Sequence, residues 1–142
     1  MKYYLIFLLL LFSLGGCMRQ SVTVFSDQES VRVFVEIADA LEERRIGLMN
    51  REFLDENSGM LFIFEDSKPR TFLMKNTLIP LDMIFIDENF NIVDIKHAKP
   101  CKQDPCVLYI SSQPAQYVLE VNGDFTTKNN IKTGNKMEFH KK

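Results

Sequence analysis

Apolar and polar residues alternate along most of this chain with the period of a β-strand. In VRVFVEIA, the bulk of Ser30 to Ala38, Val31, Val33, Val35 and Ile37 share one face while Arg32 and Glu36 share the other, which predicts a half-buried strand. Asp39 and Glu42 then resemble a capping box, and a short helix is expected to about Met49, with Leu41, Arg44, Arg45 and Leu48 along one stripe. Ser58-Gly59 punctuates the chain before a strand at Met60 to Phe64, and Glu65 to Arg70 reads as a charged loop. Further strands are expected at Ile92 to Lys96, Val107 to Ile110, Gln116 to Val121 and Lys136 to His140, whereas Phe125 to Asn130 is too rich in Thr and Asn to assign. The pattern predicts a mainly β fold with one short helix, an antiparallel β-sandwich or barrel-like single domain.

The most apolar part of that pattern, Thr71 to Asp87, reads TFLMKNTLIPLDMIFID. Pro80 cannot donate a ladder hydrogen bond, so the run is a strand, a sharp connection near Thr77 to Pro80, and a second strand. In the second arm Leu81, Met83 and Phe85 alternate with Asp82, Ile84 and Ile86, so both faces are apolar and the strand is expected to be buried on both. Asp82 then needs a cation, several donors or a proton, because an isolated buried carboxylate costs several kcal/mol by the usual desolvation estimate. Lys75 is the nearest cation in sequence. Arg44, Lys75, Asn76, Asp82 and Glu120 form the candidate polar cluster, with Asn122 and Tyr109 as neighbours. Such a set is a structural ion-pair network, the lining of a ligand site, or an acid–base pair with shifted pKa values.

The first residues change the picture from a free domain to an attached one. Lys2 is followed by an unbroken apolar run from Tyr3 to Phe12, too short to span a bilayer but suited to a secretory signal. Leu14-Gly15-Gly16-Cys17 resembles the bacterial lipobox, which implies lipidation at Cys17 after removal of residues 1–16. Residues 17–29 are expected to be a lipid-anchored tether and residues 30–142 the single globular domain. The expected location is the bacterial cell envelope, facing the periplasm from the outer membrane where two membranes exist, with the membrane itself as one partner and a small molecule or envelope protein as another. The remaining chain has 16 basic and 19 acidic residues, Lys2 being the one charge removed, for a formal charge of −3. That gives no basic field for nucleic acid.

Cys101 and Cys106 are then the remaining cysteines. In an exported compartment an even pair reads as a disulfide; the alternatives are a redox-active pair or a metal site with His97, though neither uses C-x-x-C spacing and only three soft ligands are in view. No metal and no cofactor is expected. The chain lacks a G-x-S-x-G elbow, H-E-x-x-H, a Walker loop and a Gly-rich dinucleotide turn, so a binding or accessory role is favoured over an enzyme using Lys75 and Asp82 or the cysteine pair.

The residues Met74 to Thr77 and Pro80 to Asp82 also carry a resemblance to the domain of unknown function 192 family, whose signature is an aromatic-rich strand, MKNT, a short apolar link, PLD and an apolar strand. Arg44, Gly47 to Met49, Gly59 to Phe62, Pro100-Cys101 and Pro114 to Asn122 extend the match, from about Val31 to Phe139. The chain departs from the family pattern at Leu73, where the family has Trp, and at Asn122-Gly123-Asp124, where it has an Asn-Ala-Gly-like turn. The resemblance implies a β-rich fold and no assigned activity.

Overall fold

The computed structural model describes residues 20–141. The leader and Cys17 lie outside the described residues. The elements in chain order are β1 (Ser21–Phe25), β2 (Ser30–Ala38), α1 (Leu41–Ile46), β3 (Ser58–Lys68), β4 (Thr71–Leu73), β5 (Leu81–Ile86), β6 (Ile92–Ala98), β7 (Leu108–Ile110), β8 (Ala115–Asn122), α2 (Phe125–Lys128) and β9 (Lys136–His140). Seven strands form one sheet in the order β6-β5-β8-β3-β2-β1-β9, and β4 pairs with β7 in a second, small sheet. The large sheet curls into a half-barrel. Its two edges meet at one end, where Asn91 bridges Lys136 and the amide of Ile92 donates to the carbonyl of Asn135 at 2.8 Å.

The curl divides the apolar residues into two cores. Val22, Val24, Val33, Val35, Leu61, Ile84, Ile86, Leu119 and Val121 fill the inside with Phe125, Ile131 and Met137. On the outer face Met60, Phe62, Met83, Phe85 and Val118 pack under Leu48, Met74 and Phe72. Phe72 meets Phe62 edge-on at 5.1 Å between centroids and Phe85 at 6.0 Å, which joins the small sheet to the large one. All six residues of β5 are buried because the strand separates the two cores. The backbone approach between β3 and β8 is tight at Gly59, where a Cβ would lie 2.4 Å from the Glu120 carbonyl oxygen.

Five details differ from the sequence pattern. Ser21–Phe25, expected within the tether, is a full strand of the sheet, because Val22 and Val24 are buried inside the barrel and both edges of the strand are paired. β2 and β3 run parallel, with α1 in the crossover between them. The helix is shorter, starting after Ala40 and ending at Gly47 (φ +49°); Glu43, not Glu42, reaches back, its carboxylate accepting from the amides of Asp39 and Ala40 at 3.1 and 3.0 Å. Strand β3 continues through the charged stretch to Lys68, and Phe125–Lys128 adds a second short helix.

Candidate functional site

The five residues of the candidate polar cluster are not gathered in one place. Asp82, 1% exposed, points into the barrel interior. Its strand partner in register is His97, whose Nδ1 lies 2.8 Å from Oδ1, and its Oδ2 accepts from the Thr126 amide at 2.8 Å and the Thr126 hydroxyl at 2.6 Å. The carboxylate therefore ties the first turn of α2 to the sheet, which satisfies a buried acid without a lysine. Lys75 is 54% exposed and pairs with Asp104 of the cysteine loop at 3.3 Å. Arg44 lies over the Phe64 ring at 5.2 Å and donates to the Ile63 carbonyl at 2.9 Å and to the Asp39 carbonyl. Asn76 sits at φ +56° in the turn after β4, where its carbonyl accepts from the Asn50 amide at 2.8 Å.

Glu120 lies on the opposite face of the sheet from Asp82, between Met60 and Met83 of the flanking strands. It is 5% exposed, and among the described residues its carboxyl makes no hydrogen bond and no ion pair. Burial alone pushes its pKa up from 4.5 to about 8, so the side chain carries its proton at neutral pH. Its neighbour Asn122 holds the preceding loop instead, donating to the carbonyls of Leu54 and Asp55 at 2.9 and 3.1 Å.

Cys101 and Cys106 form a disulfide with their Cα atoms 5.5 Å apart. Asp104 lies close to both sulfurs, but sulfurs joined to each other are not thiolate ligands, and His97 is held by Asp82 rather than turned to the cysteines.

A cleft of about 700 Å³ opens elsewhere. It is lined by Phe34 and Glu36 of β2, by the loop from Asn50 to Asp55 with Arg51 and Phe53, and by Gln20 and Gly59. Phe34 is 43% exposed and Phe53 76% exposed, two aromatic rings left open at one site. Between them the Arg51 guanidinium grips the Glu36 carboxylate through two bonds of 2.8 and 2.7 Å, which lowers the Glu36 pKa and raises that of Arg51. The pattern of β2 held the signal for half of this site, since Phe34 alternates onto the polar face with Arg32 and Glu36. Phe53, Arg51, His97 and Thr126 depend on loop paths and strand register that no local pattern specifies.

The family model named DUF192, described as uncharacterized ACR, matches residues 22–139 and so includes β1, nine residues upstream of the boundary suggested by the motifs. A UPF0127 protein of Pyrococcus horikoshii is 32% identical over 91 residues, covering 61% of this chain and 70% of that protein. Two crystal structures share the fold. One, from Sinorhizobium meliloti, is described as a candidate transcription regulator; it has a TM-score of 0.79 and 31% identity, covering 85% of this chain and 93% of that one. The other, a protein of unknown function from Novosphingobium aromaticivorans, has a TM-score of 0.78 and 33% identity over 83% of each chain.

Proposed function

This chain belongs to the DUF192 family, and we propose that it is a binding module of the bacterial cell envelope, carried on a lipid anchor at Cys17, with its ligand site in the cleft between Phe34 and Phe53. The cleft carries the reading. It is concave, of a volume suited to a small molecule, and combines two open aromatic rings with a guanidinium whose donors are arranged as a fork. A ligand with a flat apolar part and a carboxylate or phosphate matches that lining, the anion replacing Glu36 on Arg51. The anchor rests on the apolar run of residues 3–12 and on Leu14-Gly15-Gly16-Cys17. The formal charge of −2 supplies no attraction for nucleic acid, so the regulator label stays with the Sinorhizobium protein.

An enzymatic reading retains one observation, the protonated Glu120 in its apolar layer, a state that suits a general acid. Lys75 and Asp82 do not support it as a pair, since one is in solvent beside Asp104 and the other is buried with His97 and Thr126. The deciding experiment is native mass spectrometry of the domain cut from its own membranes without detergent. A bound small molecule on the wild type, lost in the Phe53→Ala, Arg51→Ala double variant, is the expected result. A bare wild-type mass together with no thermal shift in a screen of small organic anions would end the cleft reading. The mass of the Cys17 peptide from the same membranes tests the anchor separately.

A further inference from the structure

The strand found at Ser21–Phe25 shortens the tether. With Cys17 lipidated, only residues 18–20 separate the anchor from the first paired residue of the sheet, and four residue steps span at most about 14 Å when extended. A tether reaching to residue 29 would let the domain turn freely above the bilayer; this one holds a defined end of it at the surface. Ser21 lies in register with Phe34 on one side and His140 on the other, and the Gln20 carbonyl accepts from the Val35 amide at 2.9 Å. Gln20 also lines the cleft with Phe34 and Phe53.

We infer that the end of the domain bearing Gln20, Phe34, Phe53 and His140 is seated on the phospholipid surface, with the Phe53 and Phe34 rings in the membrane interface. This rests on the lipid-anchor reading of Cys17. Two open rings at the tethered end have the chemistry of interfacial contacts, since their apolar faces leave water as they enter the headgroup region. The charges around them have mixed sign. Lys141 follows β9 at this end, while Glu36 is neutralised by Arg51, and Glu52, Asp55 and Glu138 add acidic side chains. The contact is therefore carried by the rings rather than by a basic field, and it forms on zwitterionic lipid. It also places the cleft mouth at the membrane surface.

The chain contains no Trp, so Phe53→Trp provides a single fluorescent reporter at an exposed position that accepts it without repacking. Residues 17–142 are coupled through Cys17 to a maleimide phospholipid in phosphatidylcholine vesicles whose acyl chains are brominated; the disulfide leaves Cys17 as the one free thiol. The expected result is a blue shift and at least twofold quenching of Phe53→Trp, with Leu108→Trp on the small sheet left unquenched. Phe53→Trp unquenched, or quenched no more than Leu108→Trp, would overturn the seating. Because the coupling is chemical, this outcome is independent of whether cells lipidate Cys17, which the peptide mass decides.

Discussion

Glu120 offers a direct test of how its apolar layer is built. Its folded-state pKa of about 8 lies above the ordinary 4.5, so between those values the folded chain holds a proton that the unfolded chain has released. Stability tied to this group is present below pH 4.5 and is lost as pH rises towards 8. At 1.36 kcal/mol per pKa unit the full difference is about 5 kcal/mol, and about 3 to 4 kcal/mol of it falls between pH 5 and pH 8. That is an upper figure, because hydration through a local opening would relieve part of it. Glu120→Gln keeps the shape and removes the titration. The buried amide costs a roughly constant amount, so the difference between variant and wild type isolates the carboxyl from every group the two proteins share. Urea unfolding at several pH values between 5 and 8 measures it. The wild type should lose stability relative to Glu120→Gln by several kcal/mol on going from pH 5 to pH 8. Parallel curves for the two proteins would show that the carboxyl is not confined among Met60 and Met83 as described.

Other perturbations follow from the same geometry. Asp82→Ala strands the His97 ring and both Thr126 donors, and should cost on the order of 3 kcal/mol in chemical denaturation, with Thr126→Val costing about 1 to 3 and a strongly non-additive double variant. Lys75→Ala removes an exposed ion pair and should change stability by less than about 1 kcal/mol in the same assay; a larger loss would mean that the side chain is engaged beyond Asp104. Gly59→Ala places a methyl group against the Glu120 carbonyl and should lower the unfolding free energy by roughly 2 kcal/mol or more in the same assay, since backbone rather than a flexible side chain must give way. Reducing the Cys101–Cys106 disulfide opens a short loop and should cost about 2 kcal/mol by the chain-entropy relation, leaving the sheet folded by circular dichroism.

The strands were readable because their apolar residues alternate, and β5 was readable as doubly buried because both of its faces are apolar. β1 was not, since Val22 and Val24 are two apolar positions in a polar stretch, and their burial is decided by pairing with β2 and β9 far along the chain. The chemistry at Asp82 was half legible. That a buried acid requires donors follows from its neighbours in sequence, but His97 becomes its partner through strand register and Thr126 through the path of α2. Proximity in sequence pointed to Lys75 instead, which the turn after β4 directs to solvent. Glu120 and Asp82 belong to adjacent strands, yet the alternation of the sheet sends them to opposite faces.

The bridge between Asn91 and Lys136 carries a consequence for neighbours rather than for the molecule itself. A curled sheet with two free borders is a template for strand exchange with any identical chain beside it, and confinement to a surface raises the frequency of such encounters. Joining the borders at one end removes that template where β6 and β9 begin. Within the large sheet the unpaired backbone of these two borders is thereby confined to the diverging ends beyond the bridge, which shortens the edge that an identical neighbour could pair with.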